Sequence, residues 1–138
     1  MANMKPLRRI VQWALLALLL NAPPLFAEPL SPAARGEIEV LLLRLAASDC
    51  QFMRNGNWYT AGEAQVHLRR KLDYLVAKGM VASAEQFIER AASQSSMSGQ
   101  AYQVKCGGQA PVASGAWLRA ELQRLRAGAN KSGSKGAD

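Results

Sequence analysis

Acidic, aromatic, cysteine and histidine residues are all scarce in this chain, and each scarcity closes a route to function. One histidine and two cysteines, with no carboxylate cluster beside them, are too few for a zinc set. The nine aromatic residues are not interleaved with the basic ones, so no stacking platform for nucleic acid is legible. No apolar run approaches the ~20 residues of a membrane span. There is no Cys-x-x-Cys unit and no internal repeat, and neither Gly-x-Ser-x-Gly nor Ser-x-x-Lys surrounds Ser95, Ser96 or Ser98. The expectation is therefore a protein with no metal and no cofactor.

What is present begins with an export leader. Lys5, Arg8 and Arg9 form a basic start, Ile10 to Leu20 an apolar core, and Asn21-Ala-Pro-Pro-Leu-Phe-Ala27 a break before a small residue. Cleavage is expected after Ala27. The apolar core is about half the length of a span and is interrupted by Gln12, which argues against a retained anchor. Arg8-Arg9 lacks the flanking pattern of a twin-arginine signal. Residues 1–27 thus read as a signal peptide and the mature protein as periplasmic, with no stable membrane insertion. The leader takes three of the 17 basic residues and no acid, leaving 14 against ten, a net charge of +4 rather than +7. So mild a charge favours anionic partners without identifying one, and export makes nucleic acid a poor candidate.

Cys50 and Cys106 both lie in the exported part, and an even pair in an oxidising compartment reads as a disulfide. The chain-entropy contribution of closing so long a loop is about 4 kcal/mol, an upper figure. The competing reading is a thiol nucleophile or redox pair, for which no motif speaks.

Hydrophobic periodicity supplies the elements. Ile38, Leu41, Leu42 and Leu45 mark a helix from Pro32 to Ala47, with Val40 and Leu43 widening its stripe until most of the helix should be covered. Cys50 to Asn55 reads as a short strand ending at the turn signal Asn55-Gly56. Thr60-Ala-Gly-Glu63 has capping-box spacing and starts a second helix with Ala64, Leu68, Leu72, Leu75 and Val76 inward, ending near Gly79. Ser83-Ala-Glu-Gln86 starts a third, burying Ala84, Phe87, Ile88, Ala91 and Ala92. Ser93 to Gly99 is a polar turn, and Ala101 to Cys106 a second strand. Trp117, Leu118, Leu122 and Leu125 define a last helix ended by Gly128, with residues 129–138 expected to be disordered. The expected fold is one α+β domain over residues 28–128: four helices around a two-stranded β element, in the order α-β-α-α-β-α.

Phe52-Met-Arg54-Asn55-Gly56, Glu63-Ala64 with His67-Leu68 and Lys71, Ala84-Glu-Gln-Phe-Ile88, and Ser93 to Gly99 with Tyr102 follow one another in an order that resembles the YfeK-like family of small exported proteobacterial proteins. The resemblance covers about residues 50 to 106. It implies a location outside the cytoplasm and no activity, because that family is a domain of unknown function.

Several polar groups merit a functional reading beside a structural one. Glu63, His67, Lys71, Tyr74 and Lys78 share one flank of the second helix. His67 and Lys71 are candidates for holding an anionic group; structurally, Glu63 completes the cap, the lysine stems line the core edge and His67 bonds to a loop. Arg54, two residues from Phe52, shares its face, where it would meet an acid at the core edge or, with Lys71, a ligand carboxylate or phosphate. Asn55, Ser96, Ser98 and Tyr102 complete the candidate ligand set. Glu85 and Glu89 are four apart but read as a solvated helix face rather than a glycosidase pair. The leading reading is a non-catalytic binding module for an unknown protein or an anionic envelope component. Its alternative is a small envelope hydrolase using Glu63 and His67 with a serine of the 95–98 loop, Ser96 or Ser98. A third possibility is an apolar binding surface around Trp58 and Tyr59.

Overall fold

The computed structural model describes residues 28–135. The expected leader, its cleavage point after Ala27 and residues 136–138 of the expected tail lie outside the described residues. Four helices pack on a small antiparallel sheet: α1 (Pro32–Ala47), β1 (Cys50–Arg54), β2 (Asn57–Thr60), α2 (Ala61–Ala77), α3 (Ala84–Ala91), β3 (Gln103–Cys106), β4 (Val112–Ala113) and α4 (Ser114–Ser134).

Local chemistry sets most of these boundaries. Ser31 caps α1 by accepting from the Ala34 amide, and Pro32 follows where a missing N–H costs nothing. The capping box at α2 is complete: Thr60 Oγ1 accepts from the Glu63 amide at 3.3 Å, and Glu63 Oε2 accepts from the Thr60 amide at 2.8 Å. At the other end of α2, Gly79 takes φ 66° and donates to the Val76 carbonyl, while Met80 donates to Leu75. This paired closure needs a left-handed residue, which glycine adopts without a Cβ clash.

The sheet has the order β2-β1-β3-β4, four strands where the sequence suggests two. Asn55 (φ 50°) and Gly56 (φ 80°) form a two-residue hairpin turn of the kind that twists with its strands, pairing Arg54 with Asn57 and Phe52 with Tyr59. Residues 57–60 lack the alternation of a half-buried strand, since all four are exposed or half-buried, and β4 is only two residues long. Backbone pairing alone makes them strands. β1 and β3 pair in the register Cys50↔Cys106, Phe52↔Val104, and the two cysteines form a disulfide.

The core lies between the sheet and the helices. Ile38, Leu41, Leu42 and Leu45 of α1 meet Leu68, Leu72 and Leu75 of α2, Phe87 and Ile88 of α3, and Leu118 and Leu122 of α4. Phe52 and Val104 add the inner face of the sheet, and Phe52 stacks edge-on against Trp117 at 5.8 Å. Leu43 is 60% exposed, so α1 is covered on one side only and not nearly all round, as its broad stripe suggests. Helix α4 also departs from expectation. It passes through Gly128 to Ser134, so residues 129–134 are helical rather than disordered. A solvent-facing glycine costs a helix about 1 kcal/mol relative to alanine, and the alanines on either side, with no proline beyond, let the helix absorb it.

Candidate functional site

Three elements converge where the hairpin meets α2. β1 delivers Arg54 at its last position, α2 delivers His67 and Lys71 one turn apart, and Tyr102 immediately precedes β3. The β1–β3 register pairs Met53 with Gln103, so the next step sets Arg54 across from Tyr102. Backbone bonds on both sides of Tyr102 fix it: its amide donates to the Ser93 carbonyl, and its carbonyl accepts from the Ser114 amide.

The side chains form a continuous polar chain. Arg54 Nη1 lies 2.8 Å from His67 Nδ1, His67 Nε2 lies 3.1 Å from the Tyr102 hydroxyl, and Lys71 Nζ donates to that same hydroxyl at 3.3 Å. Lys71 also donates to the Gln94 carbonyl at 3.0 Å. Because a guanidinium can only donate, Nδ1 must be the accepting nitrogen, which leaves the proton on Nε2 to be donated to Tyr102. The phenolic oxygen then accepts from two sides, and its own hydrogen remains available for a third partner.

Electrostatics keeps this ring neutral. Burial first, and then the charges of Arg54, Lys71 and Arg70, push the His67 pKa down to about 4, so the ring is neutral at pH 7. Burial and the Arg54 charge lower the Lys71 pKa, while burial raises that of Tyr102 despite the opposing effect of Arg54. Among the described residues Arg54 forms no ion pair with an acid at the core edge. Its guanidinium lies 4.9 Å over the Tyr59 ring, and the Lys71 ammonium 5.0 Å over that of Tyr102. None of the ion pairs among the described residues involves Arg54, Arg70 or Lys71. The four side chains therefore carry net positive charge on a partly desolvated wall, suited to a carboxylate or phosphate oxygen.

Two spaces adjoin the pair Arg54 and His67. One is a cavity of about 30 Å³, room for a single water, whose walls include Phe52, Leu68 and Tyr102. The other is a recess of about 400 Å³ bordered by Tyr59, Glu63, Val66 and Arg70 as well. In the sequence Tyr59 reads only as part of an apolar surface, and Arg70 belongs to no candidate site. The hairpin pairing of Phe52 with Tyr59 was the missing signal.

The other candidates fall elsewhere. Asn55 and Ser98 bond to one another, the serine hydroxyl donating to Asn55 Oδ1 at 2.6 Å, which ties the serine loop to the hairpin turn. Ser95 is buried and accepts from the Met97 and Ser98 amides, while Ser96 is exposed. His67 has no serine and no Glu63 among its hydrogen-bond partners, and the Glu63 oxygen that bonds is occupied by Thr60. Tyr74 and Lys78 continue the flank but pair with each other, at 5.8 Å, beyond the site. Trp58 lies under Lys105 at 4.1 Å. Among the described residues no three His, Cys, Asp or Glu side chains converge on a point where a metal could sit.

Against known proteins, residues 32–126 match the profile of a family described as "Family of unknown function (DUF5329)". The chain is 39% identical over 90 residues to the uncharacterized protein YfeK of Salmonella typhimurium, covering 64% of this chain and 72% of that one. No solved structure matches.

Proposed function

The chain belongs to DUF5329, a family of unknown function, and from that premise we propose that it is a periplasmic, non-catalytic module that binds a carboxylate or phosphate group of a partner or envelope component at Arg54, His67, Lys71 and Tyr102. The observation that carries this reading is the chain of four hydrogen-bonded side chains whose two cationic ends, Arg54 and Lys71, are in no ion pair among the described residues. An isolated cation held in place by neutral partners retains its attraction for an incoming anion, and a planar guanidinium beside a phenol donor suits an oxyanion in particular. Removal of residues 1–27 on export would deliver the domain to the compartment in which the Cys50–Cys106 bridge persists.

The test is a nuclear magnetic resonance titration of the protein with inorganic phosphate and with acetate. Saturable shifts of the His67 and Tyr102 ring signals are expected, with the His67 pKa rising as bound negative charge offsets its cationic neighbours. Arg54→Gln should weaken the response at least tenfold. Linear, unsaturated shifts that are the same in the variant would overturn the proposal.

A further inference from the structure

The recess above the anion site is not uniformly basic. Glu63, Val66, His67 and Arg70 follow the i, i+3, i+4, i+7 pattern, so α2 presents all four to it from one face. At one end stand Arg54 and Arg70, neither in an ion pair among the described residues. At the other stands Glu63, whose Oε2 takes both capping bonds from Thr60 while Oε1 has no hydrogen-bond partner among them. Tyr59 and the half-exposed Val66 supply apolar surface between the two ends.

A carboxylate in the wall repels a simple anion and rewards a ligand that brings positive charge to it. Helical rise separates Glu63 from His67 by ~6 Å and from Arg70 by ~10 Å along the axis. An extended peptide advances ~3.3–3.6 Å per residue, so two or three residues span that interval. The volume of about 400 Å³ accommodates such a molecule.

We infer that this recess binds a short peptide of two or three residues with both termini free, its carboxylate held by Arg54 and Arg70 and its ammonium by Glu63. The inference rests on the anion-binding reading and adds to it a second, oppositely charged contact and a length. Affinity here comes from charges at a fixed spacing rather than from side-chain pockets, so small side chains are accepted and blocked termini are not.

Calorimetric titration of the purified protein with alanyl-alanine and trialanine tests it, alongside their N-acetylated and C-amidated forms and inorganic phosphate. The free peptides should bind, and blocking either terminus should weaken binding at least tenfold. Glu63→Gln is the informative variant, since glutamine preserves the capping box and removes only the charge. An unchanged thermal midpoint would show the fold intact, and the penalty for N-acetylation should shrink to less than twofold. If acetylated and free peptides bind equally well, or phosphate binds and no peptide does, the peptide inference falls and anion binding stands. If neither the peptides nor phosphate saturates, both fall together.

Discussion

His67 shows how a single residue carries information in both its placement and its protonation. Folded His67 releases its proton near pH 4, whereas an unfolded histidine does so near 6.5. Between those values the unfolded chain holds the extra proton, so stability should fall as pH drops from about 6.5 to about 4, and this group should cause no further loss below that. Glu39 and Glu85, lowered in pKa mainly by bonds from Arg69 and Arg126, lose their contributions only once the pH passes below about 4.5. Urea midpoints at pH 7 and pH 5 therefore isolate the histidine. The wild type should lose stability over that interval and His67→Gln distinctly less; equal losses would show that His67 is not held neutral. At this scale the sequence was partly readable. His67 and Lys71 were identifiable because helix spacing is encoded locally, but Tyr102 as the shared acceptor required the β1–β3 register. Of the two readings open to Arg54, an acid at the core edge or an anionic ligand shared with Lys71, the first does not hold: the guanidinium meets the neutral ring of His67, because which residue of α2 faces the end of β1 is set by how the helix packs back on the hairpin.

Among the elements, α2 bears most directly on the site, and its first turn sets the azimuth of everything after it. Thr60 and Glu63 satisfy two helix-terminal donors between them, and Glu63 also lines the recess. Thr60→Ala removes the accepting hydroxyl and should cost about 1 kcal/mol, measured by denaturant unfolding, whereas Glu63→Gln should cost less than half of that. A Thr60→Ala loss no larger than that of Glu63→Gln would mean that the cap does not hold the turn. This helix was legible from Thr60 to Gly79 because its cap, stripe and stop are all written in consecutive residues. Strand β2 was not, although Asn55-Gly56 followed by Trp58-Tyr59-Thr60 is a hairpin signal by turn chemistry. Its polar and aromatic residues on an exposed edge gave no periodicity to read. Gly128 misled in the opposite direction, because a glycine that can end a helix does so only when packing or a following proline favours the exit.

At the scale of the domain, long-range ties hold α1, α3 and α4 together. Arg126 of α4 bridges Glu37 of α1 and Glu85 of α3, and Arg44 of α1 reaches Glu121 of α4. These surface pairs are each worth no more than about 1 kcal/mol. The disulfide contributes more. Cys50 and Cys106 lie opposite each other in the β1–β3 register, four steps from the Arg54 and Tyr102 positions. Replacing both with serine should cost about 2–4 kcal/mol in denaturant unfolding and loosen the Arg54–Tyr102 alignment, visible as faster amide exchange at Tyr102. An unchanged midpoint would show that the sheet holds its register without the bridge.

Strand β1 occupies the middle of the sheet with two very different neighbours. It reaches β2 across a two-residue turn, but β3 only after both α2 and α3 have intervened. The hairpin can close within microseconds of the chain becoming free, while the second pairing waits on a loop closure of some fifty residues. A chain in which only the hairpin has formed thus brings Arg54 to Tyr59 before Tyr102 arrives beside His67. The network of four side chains is accordingly completed late, and on the anion-binding proposal a chain trapped before β3 docks should form the hairpin yet bind no phosphate.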